Sequence, residues 1–136
     1  MSTNILELEN DLKNQNLHGI YVFYGEEKYV QQEYLKKIKK IFGELSLGIN
    51  YILLDENNID TLIADIETPA FGYSKKLIIV RNSNLFKKDC KSPMKDKFKK
   101  YVTENLEIIE ESCVIIFIEE TVHKFDFYKT LEKNAI

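Results

Sequence analysis

The chain has 136 residues and a formal net charge of −3; 44% of its residues are hydrophobic, 30% are charged and only two are proline. This composition is typical of a single globular domain and argues against a disordered or fibrous chain, and such a length can bury about two thirds of the unfolded surface. Two cysteines cannot form a disulfide framework, so we expect a reducing compartment, and the apolar run 113–118 is far shorter than the ~20 residues of a membrane helix.

The N-terminal part of the chain predicts a helix, a strand and a second helix. Residues 1–11 have neither the basic nor the long apolar region of a signal peptide, so we expect a cytosolic protein without membrane contact. Apolar residues at helical spacing predict a first helix that ends at 14–16. The glycine-bounded run 19–25 predicts a buried strand. The outer face of the helix that follows carries Lys36, Lys37, Lys39 and Lys40.

The middle of the chain continues this alternation. A second strand is predicted over 51–55, and apolar residues between 59 and 66 predict a third helix. The run 77–80 predicts a third strand that is apolar on both faces. A strand of this kind is typical of a parallel sheet covered by helices on each side.

The C-terminal part completes the pattern. Ser92 is predicted to cap a long helix, with Pro93 at its first position. A fourth strand is predicted over 113–118 and a last helix around 127–131. Because strands and helices alternate and each strand is a short apolar run, we predict an α/β fold with a doubly wound, mostly parallel sheet.

The turn after the first strand is where a nucleotide-binding fold places its phosphate loop. Residues 25–30 lack the second glycine and the Lys-Ser/Thr pair of that loop, and Glu26 and Glu27 would place negative charge beside the phosphates. Glu119 and Glu120 follow the fourth strand, as Mg²⁺-binding acids do in nucleotide hydrolases. Without a phosphate loop, we predict that they are two acids at an exposed strand end.

Other catalytic patterns are also missing from the sequence. The two histidines, His18 and His123, lie in predicted loops without a cysteine or second histidine at ligand spacing. No Gly-x-Ser-x-Gly elbow or Cys/His signature indicates covalent catalysis. We therefore predict no catalytic residue, no metal site and no cofactor.

Positive charge is concentrated in residues 75–101, which hold nine Lys and one Arg against two Asp, a net charge of +8 that leaves −11 for the remainder. A basic segment can face nucleic acid. These lysines have no interleaved arginine-aromatic pattern, so the preferred interpretation is a solvated surface, with nucleic-acid binding as the alternative.

The stretch 68–82 joins the third helix to the third strand through a turn with two aromatic rings. In one interpretation, these rings fold back onto the core. In the other, Pro69 ends the helix, Gly72 frees the backbone, and Phe71 projects as an apolar anchor for the pocket of a partner. The residues alone leave both interpretations open.

Two motifs resemble the N-terminal domain of the bacterial DNA polymerase III delta subunit. They are the run GIYVFYGEEKY at 19–29, followed by a lysine-rich helix, and the run TPAFG at 68–72, which leads into KKLIIVRN at 75–82. The resemblance covers essentially the whole chain and implies an AAA+/P-loop NTPase-like domain with a degenerate nucleotide site. It also implies that 1–136 is a single N-terminal domain, with the lid and collar domains of the family lying beyond Ile136.

The resemblance further implies a non-catalytic clamp-loader subunit that binds the sliding clamp (the beta subunit) and helps to open it during DNA replication. Family members contact the clamp through an apolar pair that falls on Ala70 and Phe71; Ala70 is smaller than the usual residue, which shifts weight to Pro69 or Tyr73. Other clamp-loader subunits would bind through the domains absent here, and DNA contact would be indirect. A divergent nucleotide hydrolase and a nucleic-acid-binding module remain alternatives. The expected clamp-binding residues are Pro69, Ala70, Phe71, Gly72 and Tyr73.

Overall fold

Strands and helices alternate through the part of the chain that the computed structural model describes, which is residues 5–24, 28–70, 72–87 and 92–119. The helix predicted around 127–131 lies outside the described residues. The elements in chain order are α1 (Ile5–Lys13), β1 (Gly19–Tyr24), α2 (Lys28–Phe42), β2 (Tyr51–Leu54), a 3₁₀ turn (Ile59–Thr61), α3 (Leu62–Glu67), β3 (Lys76–Arg81), α4 (Met94–Ser112) and β4 (Cys113–Glu119).

The four strands form one sheet in the order β1-β4-β3-β2, and every neighbouring pair is parallel. Helices cover both faces. Helices α3 and α4 pack on one face through Ile66, Phe98 and Val102, and α1 and α2 pack on the other through Leu8 and Ile38. Because side chains alternate along a strand, each central strand is buried on both sides, which explains its uninterrupted apolar sequence. The predicted doubly wound α/β fold is confirmed.

Helix α4 begins as predicted, but it has a bend that the sequence did not predict. Pro93 has helical backbone angles, and Ser92 Oγ accepts a hydrogen bond from the N–H of Met94 at 3.3 Å, as expected for a capping serine. The helix is bent at Asn105, where φ is −131° and the side-chain amide donates to the C=O of Tyr101 at 3.2 Å. An asparagine amide that competes with the helical hydrogen bonds accounts for this bend.

All strands run in the same direction, so the sheet has two chemically distinct edges. We call the edge at which the strands begin the amino edge and the edge at which they end the carboxyl edge. The N–H of Leu77 donates to the C=O of Asn50 at 2.8 Å, which holds the loops before β2 and β3 side by side at the amino edge. Among the described residues, no helix is long and apolar enough to cross a membrane.

Candidate functional site

The candidate site is the turn between α3 and β3, at the amino edge. Helix α3 ends at Glu67, and Thr68 has extended angles (φ −77°, ψ 126°) because the following Pro69 disfavours the helical conformation of the residue before it. Thr68 remains tied to the helix, since its N–H and Oγ1 donate to the C=O of Ala64 at 3.0 and 2.7 Å. The prediction that Pro69 terminates this helix is confirmed.

Lys76 closes the turn from its other end. Its side chain is buried, and Nζ donates to the C=O groups of Asp65 and Thr68, each at 2.5 Å. A cation at the C-terminal end of a helix satisfies carbonyls that have no partner within the helix and interacts favourably with its dipole. The prediction of a solvated basic surface is wrong for Lys76, because its long aliphatic stem lets the ammonium reach back to the end of α3.

The turn itself is closed by a hydrogen bond from the N–H of Tyr73 to the C=O of Ala70 at 3.0 Å. Gly72 has φ +86°, in the left-handed region that favours glycine, so the predicted backbone role of this residue is confirmed. Pro69 and Gly72 are exposed, whereas Ala70 and Tyr73 are half-buried. Phe71 lies outside the described residues, so whether its ring projects or packs inward stays a prediction.

Tyr73 connects the turn to the loop before β2. Its hydroxyl forms a hydrogen bond of 2.9 Å with Ser46 Oγ. The ring also lines a groove of about 300 Å³ between the turn, the end of α2 and the loop after α1. Lys75 crosses the same region, and its Nζ donates to the C=O of Leu17 at 2.9 Å. The turn is therefore fastened by hydrogen bonds to two neighbouring segments, the loop before β2 and the loop after α1.

In a nucleotide-binding protein of this fold class, the nucleotide would bind at the carboxyl edge. The prediction that Glu119, at this edge, is an exposed acid is wrong. This residue is buried at the end of β4, where its carboxylate accepts hydrogen bonds from Ser83 N–H at 3.0 Å and Ser83 Oγ at 3.4 Å. The loop after β3 covers the strand end, which the sequence pattern did not reveal. Burial raises the pKa of Glu119 from 4.5 to about 7, although the bonds from Ser83 and the charge of Lys87 act in the opposite direction. Glu120 lies outside the described residues.

A cavity of about 130 Å³ lies beside Glu119. This volume is small compared with the roughly 300–1,000 Å³ of typical ligand pockets. Residues 25–27, where a phosphate loop would begin, lie outside the described residues. In the ranges that the structure describes, no group of three or more His, Cys, Asp or Glu side chains could hold a metal ion. The cavity is lined by Lys28, Gln31, Gln32, Leu35, Arg81, Asn82, Ile118 and Glu119.

His18 and Cys113, two further candidates for chemistry, lie beside backbone carbonyl groups. The His18 ring nitrogen Nδ1 lies 3.0 Å from the C=O of Asn16, and His123 lies outside the described residues. Cys113 is buried beside the C=O of Ile66, at 3.9 Å from Sγ, and burial raises the pKa of its thiol. In the basic segment, Lys97 is exposed.

The fold is shared with two solved bacterial proteins. The chain matches the structure of the DNA clamp loader delta protein of Bacillus subtilis with a TM-score of 0.78 and 23% identity, over 96% of this chain and 40% of that protein. It also matches a DNA polymerase III gamma subunit-related protein of Thermotoga maritima with a TM-score of 0.60 and 14% identity, over 95% of this chain and 44% of that protein. At these identities, the likeness shows the fold alone, an α/β domain with a parallel sheet.

Sequence comparison gives the family. Residues 21–136 match the family model described as DNA polymerase III, delta subunit. The chain is 30% identical over 81 residues to the DNA polymerase III subunit delta of Bacillus subtilis strain 168, an alignment that spans 57% of this chain and 23% of that protein. The chain belongs to the DNA polymerase III delta subunit family, which confirms the resemblance seen in the two sequence motifs.

Proposed function

We propose that this chain is the clamp-binding domain of a clamp-loader delta subunit, and that it binds the sliding clamp through residues 69–73 and helps to open the ring. The observation that supports this proposal most directly is the fastened turn. This chain belongs to the delta family, and its Pro69 and Gly72 are exposed on a turn that hydrogen bonds of Lys76 and Tyr73 fasten to neighbouring segments. A turn that is ordered before binding loses less conformational entropy when it docks, so more of the contact energy appears as affinity.

The proposed anchor is the Phe71 ring, inserted into an apolar pocket on the clamp. One buried aromatic residue can contribute about 2–4 kcal/mol at the centre of an interface. Ala70 is half-buried and has only a methyl group, so Pro69 is the better placed neighbour to extend the apolar contact. Binding can open the ring only if the domain has higher affinity for the open clamp than for the closed one.

We propose no catalytic role for this domain. At the carboxyl edge, the acid that a nucleotide hydrolase would use on Mg²⁺ is in this chain bonded to Ser83, and the adjoining cavity is small. ATP would then act in other subunits of the loader. Contacts with those subunits would use parts of the relatives that this chain does not span, DNA contact would be indirect, and the protein would work in the cytoplasm as part of the replication machinery.

The test is binding to purified sliding clamp of the same organism, measured by surface plasmon resonance with and without ATP and Mg²⁺. We expect saturable binding of equal affinity in both conditions, followed by release of clamp rings from nicked circular DNA when the protein is added without nucleotide. Binding that requires ATP would contradict the proposed division of labour, and no binding in either condition would refute the proposal.

Two alternative functions have their own tests. A divergent nucleotide hydrolase predicts saturable micromolar binding of fluorescent ATP in the presence of Mg²⁺. A nucleic-acid-binding module predicts steeply salt-dependent duplex binding that is lost after Lys→Ala changes at Lys95, Lys97 and Lys99. Internal engagement of Lys75 and Lys76 weakens this second alternative, since two of the basic side chains are directed at backbone carbonyls.

A further inference from the structure

The loop before β2 exposes two large apolar side chains. Leu47 is 70% exposed and Ile49 is 45% exposed. Single exposed apolar residues are common on protein surfaces. Leu47 and Ile49 both belong to the segment 44–50, which we call the Leu47 loop. The other large apolar residues that are exposed in the described chain lie singly in separate elements.

Internal hydrogen bonds hold the Leu47 loop in shape. Asn50 is buried; its Oδ1 accepts from the N–H of Ser46 at 2.6 Å, and its Nδ2 donates to the C=O of Glu44 at 3.0 Å. The N–H of Ile49 donates to the C=O of Ser46 at 3.0 Å, and Leu45 packs against the core. A loop closed in this way leaves Leu47 mostly and Ile49 about half exposed, and neither side chain belongs to a core cluster.

The Leu47 loop is adjacent to the proposed clamp-binding turn. Both loops enter neighbouring parallel strands from the amino edge, and the N–H of Leu77 donates to the C=O of Asn50 at 2.8 Å between them. The Ser46 hydroxyl, next to Leu47 in sequence, is hydrogen-bonded to the hydroxyl of Tyr73. The Leu47 loop and the turn therefore lie side by side at the amino edge.

We infer that Leu47 and Ile49 form a second apolar anchor for the partner that binds residues 69–73. This inference rests on the proposed function, so the occupant to which it commits is the sliding clamp, through an apolar surface beside the pocket that receives Phe71. The Leu47 loop would set the orientation of the domain on the ring. Two separated contacts restrict rotation of the domain relative to the clamp, whereas a single contact through Phe71 would allow it.

The experiment compares variants of the intact protein for affinity to immobilised clamp. Leu47→Ser and Ile49→Ser together are expected to raise Kd about ten-fold or more, without a change in thermal midpoint, because both side chains are exposed. Leu53→Ser is the matched control: Leu53 is 46% exposed, close to the value for Ile49, but it lies toward the carboxyl edge on β2. Its Kd should stay within about two-fold of that of the unmodified protein.

The outcomes separate this inference from the proposed function. If Phe71→Ala loses clamp binding while the Leu47/Ile49 variant binds normally, the second anchor is refuted and the proposed function stands. If the unmodified protein fails to bind the clamp, both are refuted. If the Leu47/Ile49 variant leaves clamp affinity unchanged but converts a dimer into a monomer in sedimentation experiments, the occupant of the Leu47 loop is a second copy of the chain. A control variant Leu53→Ser that weakens binding equally would show a general surface effect and would also overturn the inference.

Discussion

Replacing Glu119 by Gln should remove a pH dependence of stability that this one carboxyl group creates. The pKa of Glu119 rises from 4.5 to about 7 in the folded protein, because burial disfavours its charged form. Between pH 4.5 and about 7, Glu119 binds more protons in the folded state than in the unfolded state. Its contribution to the free energy of unfolding therefore falls as pH rises through this window and is constant above it. This change in the pKa of Glu119 corresponds to about 3 kcal/mol.

The amide side chain introduced by Glu119→Gln would be neutral at every pH, and its oxygen could still accept from the N–H of Ser83. We therefore expect Glu119→Gln and the unmodified protein to be about equally stable at pH 5, and the variant to be more stable at pH 8 by up to about 3 kcal/mol. Urea unfolding at pH 5, 6, 7 and 8, followed by circular dichroism, measures the difference, in which the titration of all other groups cancels. A stability difference that is constant across this range would refute the assignment of a raised pKa to Glu119.

Two further substitutions test how the turn is fastened. Lys76→Met keeps the aliphatic stem but leaves the carbonyls of Asp65 and Thr68 without their donor, so we expect a loss of about 1–3 kcal/mol in urea unfolding and weaker clamp binding. The exposed Lys97 is the matched control, and Lys97→Met should change stability by less than about 0.5 kcal/mol; equal effects at both lysines would contradict the role of Lys76. Tyr73→Phe removes one hydrogen bond to the Leu47 loop and should destabilise by about 1 kcal/mol or less. It should also weaken clamp binding, and unchanged affinity would mean that this bond does not position the turn.

The sequence predicted the elements of the fold because their signals are local. The runs 19–25 and 113–118 are short, mostly apolar and contain no helical periodicity, which is typical of strands covered by helices on each side. The backbone roles of Pro69 and Gly72 were also predicted correctly, because the backbone restriction before proline and the freedom of glycine do not depend on distant residues.

The roles of Lys76 and Glu119 could not be predicted, because both depend on distant parts of the chain. Lys76 is one lysine in a basic segment until α3 brings two carbonyls within reach of its ammonium. Glu119 follows a strand as an exposed acid would, and its burial results from the loop that carries Ser83, 36 residues earlier. No pattern in the sequence marks either residue, and the pairing of Ser46 with Tyr73 is equally non-local.

Phe71 is the proposed anchor of the clamp contact, and the affinity of Phe71→Ala for the purified sliding clamp tests this role. We predict a loss of at least about 30-fold in affinity, with a thermal midpoint within a few degrees of the unmodified protein. Tyr29→Ala is the control, because Tyr29 is an aromatic residue that is 77% exposed at the opposite edge of the sheet, at the start of α2. A Phe71→Ala protein that loses stability but whose folded fraction binds the clamp normally would show that Phe71 belongs to the core and is not the anchor.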